Sequence, residues 1–144
     1  MFKKIVLTLL LGATLFGADV HWAKDYKSGI AQAIKENKPV LFIISRDTCK
    51  YCVLLDNTTL KNDEVVKVLN KNFVAIRSWT NEGDYIPREI AQRTPGLPGI
   101  WFLYSDGTPM YQPLLGYMKA NEFLNALNIV ETEFAKSSNK KVKK

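Results

Sequence analysis

The chain has 144 residues, 47% of them hydrophobic, and a net charge of +6, a composition that fits one globular domain around one core. Two cysteines and one histidine are too few for a structural zinc site, which usually takes four protein ligands, unless two chains share the metal. The surplus positive charge gathers at Lys136, Lys140, Lys141, Lys143 and Lys144, so the body is close to neutral and does not read as a nucleic-acid binder.

The first elements read as an address. Lys3 and Lys4 precede the apolar run IVLTLLLGATLF, which is too short for a comfortable membrane span and matches a signal-peptide core. Gly17 and Ala18 place cleavage after Ala18, so residues 1–18 are expected to be a signal peptide, residues 19–136 the domain and residues 137–144 a basic disordered tail. Phe16 stands where a small residue is preferred, so an uncleaved anchor is the alternative. The tail SSNKKVKK has a composition able to touch anionic lipid or nucleic acid, but solvation alone explains it.

HWAKDYKSGIAQAIKENK carries Trp22, Tyr26, Ile30, Ala33 and Ile34 at helical spacing, with Pro39 marking the end. PVLFIIS is an apolar run without polar alternation, the pattern of a strand buried on both faces. A helix through VLLDNTTL follows, then a second over NDEVVKVLNKN capped by Asn62 or Asp63. FVAIRSW is a strand, IPREIAQR a short helix with Pro87 near its start, and IWFLY a further strand. SDGTP predicts a hairpin turn into MYQPLL, with Pro113 suited to an edge strand. NEFLNALNIVETEFAK closes the chain as a helix, and VHW near the start has the character of a short extra strand. The order α-β-α-α-β-α-β-β-α implies an α/β fold, a central mixed sheet flanked by helices with a helical N-terminal extension.

Both cysteines lie in DTCKYC, residues 47–52, between the first strand and the second helix. A structural disulfide is the plain reading in an exported chain, but it would close a minimal loop and constrain little of the unfolded state. A redox pair fits better. Residues i and i+3 at a helix start are neighbours, so Cys49 and Cys52 can form a disulfide without backbone distortion. The helix N-terminus favours a thiolate, and Lys50 adds a cation. Cys49 is therefore the expected nucleophile and Cys52 the resolving thiol.

The strand PVLFIIS before CKYC, the segment GLPG, the next strand and the turn SDG resemble the thioredoxin-like superfamily from about Trp22 to Phe134. Within that superfamily the chain resembles bacterial periplasmic thiol:disulfide interchange proteins. TLKNDEVVKVLNKNFV and the GLP segment resemble the C-terminal domain of the transmembrane thiol-electron transporter. The resemblance implies a thioredoxin fold with Pro98 as a cis-proline facing the cysteines, Pro95 being the competing candidate. Leu97 would then pair with an incoming peptide, and Thr48, Lys50 and Tyr51 would meet the partner at the rim. It also implies protein disulfides or thiols as substrates, an inner-membrane electron donor, a periplasmic location, a monomer, and no organic cofactor or metal.

Two positions depart from the family. A buried aspartate usually stands six residues before the first cysteine, where this chain has Ile43; the usual tryptophan before that cysteine is Thr48. Asp56, one turn after Cys52 on the same helical face, either replaces the missing acid or is simply solvent-exposed. Asp47 would oppose a thiolate and tune it. Lys50 favours a more oxidising pair, but the transporter resemblance implies a reductant, with misoxidised secreted proteins or apocytochrome c as its clients. Disulfide donation or isomerisation, and a non-catalytic peptide-binding module, are the alternatives.

Overall fold

Alternation along the strands sorts the side chains of this domain into two helical layers. The computed structural model describes residues 18–142, so the expected signal segment, apart from Ala18, lies outside the described residues. The elements run α1 (Tyr26–Glu36), β1 (Val40–Ser45), α2 (Lys50–Asn57), a 3₁₀ turn (Thr59–Lys61), α3 (Asp63–Asn72), β2 (Val74–Trp79), α4 (Arg88–Gln92), β3 (Gly99–Leu103), β4 (Leu114–Leu115) and α5 (Ala120–Val142). They form a four-stranded mixed sheet in the order β2-β1-β3-β4. β1 runs parallel to β2 and antiparallel to β3, as a helical crossover between the first two strands requires.

Every residue of β1 is buried, because both sheet faces are covered. Leu41 and Ile43 point with Ala75, Ile100 and Phe102 into one core, closed by Leu55, Leu69, Phe123 and Leu127 from α2, α3 and α5. Val40, Phe42 and Ile44 point with Ile76 and Trp101 into the other, closed by Ala33 of α1 and Ile90 of α4. Gly29 lets α1 come close to the sheet: a Cβ there would meet the Ile76 side chain at 2.5 Å.

Several boundaries differ from the sequence reading for visible reasons. α1 starts at Tyr26, not near His21, because Asp25 and Ser28 form a capping box. The preceding arm is committed to the sheet instead: Trp22 bridges Ala75, and the Ala23 N–H donates to the Ala75 carbonyl at 2.8 Å. VHW thus supplies one bridge, short of a strand. Asn37, in the left-handed conformation, ends α1 two residues before Pro39. The predicted strand MYQPLL reduces to Leu114–Leu115 plus a bridge from Pro109 to Leu103, since Pro109 and Pro113 each lack a ladder N–H. The tail expected to be disordered from residue 137 is helical to Val142; lysines are good helix formers, and here they extend a helix that Phe123, Leu127 and Val130 already anchor.

Candidate active site

β1 ends at Ser45, a four-residue loop follows, and α2 begins at Lys50, so Cys49 is the N-cap of α2. Its sulfur takes the role a serine or aspartate oxygen plays at other helix starts: the Cys52 N–H donates to Cys49 Sγ at 3.3 Å. A backbone donor therefore faces the Cys49 sulfur. The Cys49 N–H donates in turn to the Arg46 carbonyl at 3.2 Å, fixing the loop. The sulfurs are unbonded, the dithiol state; Cys49 is half-buried and Cys52 buried. Burial pushes the Cys52 thiol above its ordinary value, and its contact with Cys49 adds to this; the Ser45 hydroxyl and the Arg46 backbone offset part of the rise. One sulfur is thus partly open to solvent, and the other is buried where the neutral thiol is favoured.

Thr48, Lys50 and Tyr51, next to Cys49 along the chain, are all exposed, and Tyr51 is 53% exposed despite its large ring. The Leu97–Pro98 peptide bond is cis, with Pro98 buried and Leu97 half-buried. The antiparallel register pairs Ile44 with Gly99, so Ser45 and Pro98 come to the same sheet edge, beside the cysteine loop. Arg46 and Leu97 line a common groove of about 230 Å³ with Thr80 and Pro95. The Pro98 carbonyl accepts from the Gly116 N–H at 3.0 Å, which ties this loop to β4. Thr94 anchors its start: it accepts from the Trp101 indole N–H at 2.9 Å and donates to the Ile90 carbonyl at 2.6 Å.

Asp56 is not exposed: it lies one turn past Cys52 on α2, with its carboxylate paired to an arginine. It is half-buried, and its Oδ1 accepts from Arg77 Nη2 at 2.6 Å. Burial pushes the Asp56 carboxyl up, while Arg77 and Lys61 pull it back part of the way. Burial also pulls the Arg77 guanidinium down, against the support of Asp56 and of Cys52. The register sets Arg77 directly beside Ile43, the position where the sequence lacks an acid.

A thioredoxin-like domain model matches residues 26–131. The chain belongs to the thioredoxin-like family. Anterior gradient protein 3 of Mus musculus is 27% identical over 129 residues, spanning 82% of this chain and 78% of that relative. Among solved structures, a thioredoxin from Thermus thermophilus superposes with a TM-score of 0.65 at 24% identity, over 78% of this chain and 88% of that one. The DsbD C-terminal domain of Neisseria meningitidis, solved in oxidised and reduced forms, superposes at 0.53 with 29% identity, over 71% and 90%. The chemistry of this thioredoxin-like protein is accordingly that of a thiol:disulfide oxidoreductase.

Within this thioredoxin-like domain the fold gathers Cys49, Cys52, Thr48, Lys50 and Tyr51 at the start of α2, and Leu97 and Pro98 at the same edge of the sheet. Asp56 stands one turn further along α2, turned toward β2. Sequence reasoning missed Arg77 and Ser45. A lone arginine inside VAIRSW, an otherwise apolar strand, was the available signal, since charged residues are seldom buried unless paired.

Proposed function

We propose that the protein acts in the periplasm as a reductant of secreted proteins or apocytochrome c, recharged by an inner-membrane electron donor. The N-terminal signal pattern supports the location, and the likeness to the DsbD C-terminal domain supports the reducing direction. Thiol–disulfide exchange follows from the family. The finer reading rests on one observation: a half-exposed Cys49 sulfur at the tip of α2, with the buried Cys52 thiol three residues on.

The Cys49 thiolate attacks one sulfur of a substrate disulfide and expels the other as a thiolate, giving a mixed disulfide. Cys52 gives up its proton, and its sulfur attacks Cys49 Sγ. The Cys49–substrate bond breaks, and the second substrate sulfur leaves as a thiolate that takes a proton. The substrate gains two electrons, and the Cys49–Cys52 pair becomes a disulfide. Leu97 pairs with the substrate backbone beside Pro98, Thr48, Lys50 and Tyr51 contact its flanks, and Asp56, made more basic by burial, takes the Cys52 proton.

Trapping tests this reading. Cys52→Ala in cells should accumulate mixed disulfides through Cys49, visible as species lost on reduction, and their identity names the substrates. Recovery of no covalent partner, while Cys49 still alkylates, would exclude an exchange role.

A further inference from the structure

Arg77 has more around it than ion pairing to Asp56 needs. Its guanidinium carbon lies 4.0 Å from the Trp22 ring centroid and 5.0 Å from that of Trp79, so one indole comes from the N-terminal arm and one from the end of β2. The arm is itself tied down. The His21 N–H donates to Asn70 Oδ1 at 2.8 Å, Asn70 Nδ2 donates to the Asp19 carbonyl at 2.9 Å, and Lys61 pairs with Asp19. Arg77 Nε is buried with no hydrogen-bond partner among the described residues. A residue serving only to fill this slot need not leave a donor unsatisfied. Asp56 and Arg77 also line a cavity of about 300 Å³ with Trp22, Lys61 and Asp19, which gives the carboxylate a route to solvent.

We infer that Arg77 is a positioning residue of the resolving step: clamped by Trp22 and Trp79, it holds the Asp56 carboxylate one turn beyond Cys52 and sets a fixed positive charge near the buried thiol. The inference rests on the exchange reading above. In that step the Cys52 proton passes to Asp56 and from there through the cavity to solvent, while the sulfur's electron pair goes to Cys49 Sγ and the substrate leaves as thiolate. The register sets Arg77 beside Ile43, on the same face of β1 as the Ser45 hydroxyl that bonds the Cys52 thiol, so the guanidinium lies on the Cys52 side of the sheet. Burial is the larger effect on Cys52, which is why it stays a thiol until it is needed. The other groups facing this cluster are Cys49 and the Ser45 hydroxyl at the thiol, and Lys61 and Asp19 across the cavity. The N-terminal arm is thereby part of the catalytic apparatus, because Trp22 completes the clamp.

The test separates the two chemical steps. Full-length reduced protein is mixed with a chromogenic symmetrical aryl disulfide: Cys49 displaces one aryl thiolate and keeps the other as a mixed disulfide (loading), and Cys52 then expels the second (release), both followed by stopped flow from pH 5 to 10. Arg77→Gln/Asp56→Asn, which removes both charges and so leaves no carboxylate buried without its cation, should load at the unaltered rate. It should release about tenfold more slowly at neutral pH, with the pH midpoint of release raised by about one pH unit. Arg77→Lys should restore part of the release rate, and Trp22→Leu should give a smaller shift in the same direction. A folded double variant that loads and releases like the unaltered protein leaves the exchange reading standing but overturns the role of Arg77, and with it that of Asp56 as proton acceptor. Equal slowing of both steps overturns it too, as general damage. Failure of the unaltered protein to load overturns the exchange reading and this inference with it.

Discussion

The Cys52 N–H donates to the Cys49 sulfur at 3.3 Å, so the first thiol of the pair is a helix cap and the second supplies its donor. This makes the two sulfurs unequal: one is presented at the rim, the other is sealed beneath it.

That inequality is measurable by alkylation. Iodoacetamide at pH 7 to 8 should modify Cys49 once per chain and leave Cys52 untouched, as read by intact mass. In Cys49→Ser, Cys52 should stay unmodified until the pH passes 9.0, its ordinary value, because burial raises the folded-state value above that. The same shift makes the unfolded chain release this proton first, so stability of the dithiol form should fall as pH climbs above 9.0. Equal labelling of both sulfurs at pH 7 would contradict the arrangement.

Asp56 predicts a trade of stability against rate. Its folded-state value is raised above 3.8, so the folded chain holds this proton longer than the unfolded one does. Its contribution to stability is therefore most favourable below pH 3.8 and declines as pH rises from there through the raised value. Asp56→Asn should match the unaltered protein in urea midpoint at pH 3 and equal or exceed it at pH 7. Resolution of mixed disulfides should nevertheless be slower in the variant. A variant less stable at pH 7 than at pH 3, relative to the unaltered protein, would show that pairing with Arg77 outweighs burial.

Gly29 sets the distance between α1 and the sheet. Gly29→Ala would drive a methyl group into Ile76, and overpacking of this kind costs about 1–3 kcal/mol. Thermal unfolding should show the loss, while the insulin-reduction rate of the folded fraction stays unchanged, since α1 lies on the face away from α2.

Thr94 connects core packing to the loop that carries Leu97. Thr94→Val removes the acceptor of the buried Trp101 indole N–H, which leaves a donor unsatisfied at a cost of about 1–3 kcal/mol. The loop loses its anchor to the Ile90 carbonyl as well. KM for a protein substrate should rise severalfold while the rate with a small aromatic disulfide changes little; equal effects on both would place the change at the sulfurs instead.

What the sequence determined by itself is whatever depends on neighbours along the chain. The spacing of Cys49 and Cys52, the unbroken apolar run of β1 and the 3.6-residue period of α5 each report a local preference, and the element order follows from them. The lengths of elements were less legible where two local signals competed: Pro39 announces the end of α1, but Asn37 ends it, and Pro109 and Pro113 leave only a stub of the expected strand. The Arg77 site belongs to the tertiary structure alone. Trp22, Asp56, Arg77 and Trp79 lie on three separate segments, and they meet only because β1 and β2 pair in parallel with Ile43 opposite Arg77 and because Trp22 bridges Ala75. Strand register is fixed by burial of both sheet faces at once, a condition on the whole core, so no stretch of the chain read singly encodes it.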